Sequence, residues 1–200
     1  MTKVKICGLC LSRDIAAVNA EKPDYIGFVF AKSKRKLTPL QAIELKKLLL
    51  PDIISVGVFV DSPIQDILAL SAEGVIDAIQ LHGSEEEEYI KKLKKLTGKT
   101  IIKAISVQNK GDVQKWGKTS ADYLLLDHRG GGTGQKFDWD LIGKSDKPYF
   151  LAGGLNSENI RDAIQKNKPY AVDISSGVEI ENMKDPVKIR EFIRRARNEN

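Results

Sequence analysis

The sequence is poor in the residues and runs that mark several classes of protein. It holds two cysteines and two histidines among 200 residues, so the two spaced pairs of ligands that common zinc sites use are missing. No apolar run approaches the roughly 20 residues that cross a bilayer. The opening residues, Met-Thr-Lys-Val-Lys-Ile-Cys, lack the apolar core and cleavage site of a signal peptide. We therefore expect a cytoplasmic protein that does not associate with membranes.

The charge pattern argues against a nucleic-acid partner. The net charge is +5, but the lysines are scattered over predicted helix faces and many stand beside glutamates, as in 85–95. This pattern is typical of solvated helix surfaces rather than of a basic binding patch. A modest positive balance still favours an anionic small molecule as the ligand.

The two cysteines, Cys7 and Cys10, have a spacing that redox dithiols and zinc sites also use. A redox dithiol normally opens a helix, whereas the predicted cap of the first helix is Ser12, two residues beyond Cys10. A zinc site would need His82 and His128 as well, and all four side chains can lie at one end of a barrel. Because no paired ligand spacing accompanies them, we predict no metal, although the zinc alternative stays open.

Strand-like and helix-like runs alternate along the whole chain. The predicted strands span 4–7, 25–30, 53–60, 78–81, 100–105, 123–126, 149–152 and 170–174. The clearest helix follows the fourth strand, with Ser84 as its cap, glutamates 85–88 at its start and lysines at its end. The run after the fifth strand, 108–117, is short and polar.

Eight such alternations with nearly continuous apolar strands indicate a parallel sheet covered by helices. We predict the α/β class: one (β/α)₈ TIM barrel over residues 1–200, eight-stranded and parallel, with a weak or missing fifth helix. A doubly wound open sheet is the competing architecture. The closed barrel is favoured because glycine loops and polar residues follow many strands, not one or two at a switch point.

Two glycine-bearing runs, Leu-Ala-Gly-Gly-Leu-Asn at 151–156 and Asp-Ile-Ser-Ser-Gly-Val-Glu at 173–179, follow the last two predicted strands. Glycine lets backbone N–H groups approach an anion, and a helix start behind the loop adds partial positive charge. The last two units of (β/α)₈ barrels often hold a phosphate in this way. The pair of loops therefore predicts a phosphate site.

Chemistry in such barrels is placed where strands end and the following loops begin. The residues at these positions are Cys7, Arg35, Asp61, His82, Asp127, Gly153, Gly154 and 173–176. Apart from the glycine loops, each one alone has an ordinary structural explanation: a small core thiol, a solvated charge or a turn-forming aspartate. Their combination at one end of one barrel favours an active site.

These residues lie in motifs that resemble the phosphoribosylanthranilate isomerases of tryptophan biosynthesis. The matching motifs include Lys-Ile-Cys-Gly at 5–8, Gln-Leu-His-Gly at 80–83, Gly-Gly-Thr-Gly at 131–134 and Ser-Ser-Gly-Val-Glu at 175–179. The resemblance covers nearly the whole chain. It implies an Amadori rearrangement of N-(5-phosphoribosyl)anthranilate to 1-(2-carboxyphenylamino)-1-deoxyribulose 5-phosphate, with no cofactor, because the chemistry is proton transfer only.

The resemblance also implies roles for individual residues. Asp127 would be the general acid and Cys7 the general base, and Arg35 would hold the anthranilate carboxylate. His82 and Asp173 would contact the substrate. The phosphate would rest on two glycine loops and the Gly-Gly-Thr-Gly loop, through Gly132, Gly134, Gly153, Gly154, Ser175, Ser176 and Gly177. The partner would be a small phosphosugar carrying an anthranilate, bound by a monomer or a homodimer.

Three alternatives remain. The histidine-pathway isomerase performs the same rearrangement, but it has an aspartate in place of Cys7 and a second phosphate cradle that this chain does not show clearly. Indole-glycerol phosphate synthase needs strand-end lysine and glutamate residues that are not evident here. A phosphosugar-binding protein without catalysis is disfavoured by the joint presence of Cys7 and Asp127.

Overall fold

The apolar segments between the helices form eight parallel strands that close into a barrel. The computed structural model describes residues 1–127 and 138–197. The strands are β1 (Lys3–Cys7), β2 (Tyr25–Val29), β3 (Ile54–Phe59), β4 (Ala78–Leu81), β5 (Thr100–Ser106), β6 (Tyr123–Asp127), β7 (Tyr149–Leu151) and β8 (Ala171–Ile174). The predicted closed barrel is confirmed, and the open-sheet alternative is excluded because β1 pairs with both β2 and β8.

Helices cover the outside of the barrel. They are α1 (Ser12–Glu21), α2 (Pro39–Leu48), α3 (Ile64–Ala72), α4 (Glu87–Thr97), α5 (Asp112–Lys115), α6 (Ile160–Asn167) and α7 (Pro186–Ala196). The predicted weakness of the fifth helix is confirmed, because α5 is a single turn of four residues. A three-residue turn, Trp139–Leu141, stands before β7. No helix in the described part of the chain is both long and apolar enough to cross a bilayer.

Apolar residues form two cores, one between the strands and the helices and one inside the barrel. Between strands and helices lies a continuous core that buries the amphipathic helix faces, such as Ile189 and Phe192 of α7. The inside of the barrel is closed at one end by aromatic rings, with Tyr25 and Tyr170 packed edge-on or tilted against Phe150. This aromatic floor separates the polar residues of the other end from solvent below.

The start of α4 differs from the prediction. Ser84 does not cap it, because the helix begins at Glu87. The Ser84 amide and hydroxyl instead donate to the Asp61 carboxylate, at 2.8 and 3.0 Å. Glu85 is buried and accepts from Lys103 of β5 at 2.7 Å, so it forms a buried ion pair and is no part of the acidic first turn.

Helix α1 also begins differently from the prediction. Ser12 is its first residue rather than its cap. Leu11 stands at the cap position, and the Asp14 carboxylate in the first turn reaches back to accept from the backbone N–H groups of Cys10 and Leu11 at 2.9 and 3.0 Å.

Candidate active site

A cavity of about 260 Å³ opens at the carboxyl ends of the strands. Ten of the predicted site residues line it: Cys7, Arg35, His82, Asp127, Gly153, Gly154, Asp173, Ser175, Ser176 and Gly177. Gly132 and Gly134 lie outside the described residues. Asp61 does not line the cavity, and its carboxylate accepts a hydrogen bond from the backbone amide of Ser84. The structure thus brings the predicted side chains of six different strands and loops to one pocket.

Cys7 stands at the end of β1 and is 8% exposed. Lys5, two residues earlier, points to the same side of the strand and is fully buried. Its ammonium donates to the Asp173 carboxylate of the adjacent strand β8 at 2.9 Å. Burial raises the pKa of the Cys7 thiol, while the positive charges of Lys5 and Lys184 act to lower it.

Asp127 stands at the end of β6, and His82 follows β4 on the same side of the pocket. The His82 Nε2 atom is 3.7 Å from Asp127 Oδ2. The Gln80 amide nitrogen lies 2.9 Å from His82 Nδ1. With that amide donating, the neutral ring carries its proton on Nε2, facing Asp127. Burial lowers the pKa of His82, although the Asp127 carboxylate acts against it, so the ring is favoured in its neutral form.

Arg35 is buried, so the simple reading of the lysine-rich run 32–36 as solvated charge does not apply to it. Its Nε and Nη2 atoms donate to the two oxygens of Glu179, both at 2.7 Å. The pair with Glu179 raises the pKa of Arg35. The side chain runs past Gly8, where an added Cβ would lie 2.3 Å from Arg35 Cδ. Because glycine has no Cβ, the Arg35 side chain can pass close to the backbone at position 8 and reach the pocket.

Glu179 joins Arg35 to the last loop. It opens a two-stranded hairpin, β9 (Glu179–Ile180) and β10 (Met183–Lys184), whose register puts Lys184 opposite Glu179. The Lys184 ammonium donates to Glu179 at 2.6 Å and to the Ser175 carbonyl at 2.9 Å. Burial would raise the pKa of Glu179, but the hydrogen bonds from Arg35 and Lys184 lower it to about 2.

The two glycine loops meet each other. Gly153 and Gly154 have φ of 78° and 66°, a region that side chains disfavour. An added Cβ at Gly177 would lie 2.2 Å from the Leu155 carbonyl oxygen. The loop after β8 therefore touches the loop after β7 so closely that only glycine fits. The Ser175 hydroxyl donates to the Cys7 carbonyl at 3.0 Å and ties this corner to β1.

Three charged residues of the site had no role in the sequence interpretation: Lys5, Glu179 and Lys184. Lys5 has a detectable signal, because the two-residue alternation of a strand places it on the same face as Cys7. Glu179 ends the Ser-Ser-Gly-Val-Glu motif at 175–179, but the sequence assigned it no role. Lys184 gives no local signal, since only the hairpin register brings it to Glu179.

The arrangement suits proton transfer on an anionic ligand. A carboxyl group and a thiol come from opposite parts of the barrel, and the guanidinium of Arg35 and the glycine loops offer places for two anions. Within 1–127 and 138–197, no group of three or more His, Cys, Asp and Glu side chains is placed to hold a metal ion.

Comparison with known proteins gives one family. A family model described as N-(5'-phosphoribosyl)anthranilate (PRA) isomerase matches residues 4–195. A protein of Endomicrobium trichonymphae named N-(5'-phosphoribosyl)anthranilate isomerase is 46% identical over 198 residues, covering 97% of this chain and 98% of its own length.

Solved structures agree with this. The structure of monomers generated from the dimeric phosphoribosylanthranilate isomerase of Thermotoga maritima has a TM-score of 0.88 and 36% identity, covering 99% of this chain and 100% of its own. A phosphoribosylanthranilate isomerase in complex with reduced 1-(o-carboxyphenylamino)-1-deoxyribulose 5-phosphate has a TM-score of 0.84 and 35% identity, with coverage of 99% and 100%.

Proposed function

Since this chain belongs to the N-(5'-phosphoribosyl)anthranilate isomerase family and is such an isomerase of tryptophan biosynthesis, we propose that Asp127 and Cys7 perform its proton transfers. The substrate is N-(5-phosphoribosyl)anthranilate, and the product is 1-(2-carboxyphenylamino)-1-deoxyribulose 5-phosphate. The observation that carries the proposal is that both side chains line one cavity although they come from β1 and β6.

The reaction needs a proton donor and a proton acceptor at different atoms of one sugar. Asp127 donates a proton to the ring oxygen, the bond from that oxygen to C1 breaks, and the anthranilate nitrogen forms an iminium with C1. The Cys7 thiolate then removes the proton from C2. The electron pair of that C–H bond neutralises the iminium and gives an enolamine. Protonation at C1 and loss of the proton from the C2 hydroxyl complete the ketone.

The other predicted residues would hold the two anionic ends of the substrate. Arg35 offers a planar donor group for the anthranilate carboxylate, and Glu179 fixes its orientation from behind. The phosphate would rest on the loops at 153–154 and 175–177, with Gly132 and Gly134 as further predicted contacts.

Two further side chains would meet the sugar between these ends. Asp173 and His82 both line the cavity and stand near Cys7 and Asp127 respectively. The protein would act as a monomer or a homodimer.

The experiment that tests the proposal compares three substitutions. Asp127→Asn and Cys7→Ala should each lower kcat by roughly 100-fold or more, the usual scale of general acid–base catalysis. Turnover is followed by anthranilate fluorescence, with the substrate made in situ from anthranilate and phosphoribosyl pyrophosphate. Binding of the reduced product analogue should stay within a few-fold of wild type in both variants.

Cys10→Ser is the matched control. The Cys10 thiol is half-buried and donates to the carbonyls of Arg35 and Gly8, at 3.3 and 3.6 Å, which a hydroxyl can also do. Its turnover should equal that of wild type. Wild-type kcat in Cys7→Ala or Asp127→Asn would remove the corresponding role. Analogue binding by wild type without any turnover would identify a binding protein instead.

A further inference from the structure

We propose that Lys5 is a positioning residue for Cys7: its buried ammonium, held between Asp173 and the sulfur, stabilises the thiolate form of Cys7. The inference deepens the proposed function, because the thiolate is the form in which Cys7 can accept a proton. It assigns a task to a residue that does not itself line the cavity.

The position of Lys5 is unusual for a charged side chain. It is fully buried inside the barrel, and its partner in the β1–β2 register is Tyr25, a residue of the aromatic floor. Burial of an ammonium costs several kcal/mol unless an anion and hydrogen bonds compensate it. An apolar residue would fill this layer at lower cost, so packing alone does not explain a lysine here.

The geometry links Lys5 to two acidic groups. The β1–β8 register places Lys5 beside Asp173, and the Nζ–Oδ1 distance is 2.9 Å. The strand alternation places Cys7 on the same inward face, and Lys5 and Cys7 interact electrostatically. An ammonium has three donors, and the Asp173 carboxylate accepts from one of them. The remaining donors can face the sulfur.

Two other cations near the sulfur share a single carboxylate. The charged side chains that interact with Cys7 are Lys5 on β1, Asp173 on β8, Lys184 on β10 and Arg35 after β2. Lys184 and Arg35 both bind Glu179, at 2.6 and 2.7 Å. Glu179 offsets only one of these two cations. Lys5 differs from both in being completely buried and in lying two residues before Cys7 on the same face of β1.

The cluster predicts that loss of the Lys5 charge and loss of the Asp173 charge change the ionisation of Cys7 in opposite directions. With Cys7 as a thiol, the charges of Lys5 and Asp173 cancel, and ionisation of Cys7 leaves one net negative charge. Without the Lys5 charge, ionisation of Cys7 leaves two net negative charges, so the thiolate forms less readily. Without the Asp173 charge, ionisation of Cys7 leaves no net charge, so the thiolate forms more readily. A merely structural role of Lys5 would not give opposite shifts.

The test measures the thiolate of Cys7 directly in the Cys10→Ser protein, where Cys7 is the one remaining cysteine. The rate of alkylation by iodoacetamide is followed by mass spectrometry as a function of pH. Lys5→Gln should move the midpoint of this pH dependence upward by about one pH unit or more, the usual scale of a nearby opposite charge. Asp173→Asn should move it downward.

Lys103→Gln is the matched control. It removes a lysine that is equally buried and paired with a carboxylate, Glu85 at 2.7 Å, on the far strand β5. The midpoint of its alkylation rate against pH should equal that of the Cys10→Ser protein. Thermal unfolding of each variant checks that it is folded, and Asp173→Asn still tests the inference if Lys5→Gln does not fold.

The outcomes separate this inference from the proposed function. Unchanged midpoints, or shifts in the same direction, would overturn the role of Lys5. If the midpoints are unchanged but Cys7→Ala is inactive, the role of Cys7 as base stands without Lys5. If the midpoints shift oppositely but Cys7→Ala turns over normally, Lys5 sets the thiolate but the thiolate is not the base. The acidic limb of kcat/KM in Lys5→Gln should follow the alkylation midpoint.

Discussion

Glu179 lies at the centre of the ion cluster, and its removal should change how stability depends on pH. Arg35 and Lys184 both donate to it, and its side chain is 5% exposed. Burial opposes ionisation, but these hydrogen bonds lower the pKa of Glu179 from 4.5 to about 2. A group with a lowered pKa stabilises the folded protein above its unfolded pKa, and this stabilisation disappears as the pH falls toward the folded pKa.

The size of the effect follows from the shift. A pKa of about 2 in place of 4.5 corresponds to about 3 kcal/mol at pH 7. At pH 3 the carboxylate is still mostly ionised in the folded protein but mostly protonated in the unfolded chain, so about 1 kcal/mol remains. The free-energy difference between wild type and Glu179→Gln should therefore shrink by about 2 kcal/mol between pH 7 and pH 3.

Urea unfolding at a series of pH values between 7 and 3 measures this difference. The control is Glu88→Gln, which removes a carboxylate that is 87% exposed and pairs with Lys91 on the helix surface. Its difference from wild type should be small at every pH. A Glu179→Gln difference that stays constant from pH 7 to pH 3 would refute the ion-cluster argument.

Two further substitutions test the binding loops. Arg35→Ala should raise KM by roughly tenfold or more, since it removes a bidentate charge-assisted donor; a KM equal to wild type would show that the guanidinium serves Glu179 alone. Gly177→Ala would force a methyl group to 2.2 Å from the Leu155 carbonyl, so the two glycine loops must separate. Competitive inhibition by inorganic phosphate should then weaken several-fold, and an inhibition constant equal to wild type would place the phosphate elsewhere.

Much of the fold was predictable because the strand and helix signals are local. The spacing of apolar runs identified all eight barrel strands within a few residues, and the polar run after β5 correctly indicated a weak α5. Helix starts were less predictable. Ser12 and Ser84 have the chemistry of caps, but the Asp14 carboxylate binds the amides of Cys10 and Leu11, and the Asp61 carboxylate binds the amide and hydroxyl of Ser84.

The candidate site was predictable where it consists of strand ends. Any residue that ends a parallel barrel strand points to the same rim, so Cys7, His82 and Asp127 could be brought together from their positions alone. Their tasks came from the resemblance and remain predictions to be tested by substitution. The partners behind the rim were less predictable. Strand alternation indicates the face of Lys5 but not its contact with Asp173, and only the hairpin register brings Lys184 to Glu179.

The order of residues by itself determined the barrel, since eight apolar segments with helical runs between them have few other ways to bury their surfaces. Tertiary structure alone decided the state of the charges. Whether a lysine is solvated or buried against a thiol depends on strand register and on which neighbour supplies the compensating carboxylate. Those distances join residues up to 168 positions apart, and electrostatic energy depends on distance and burial rather than on position along the chain.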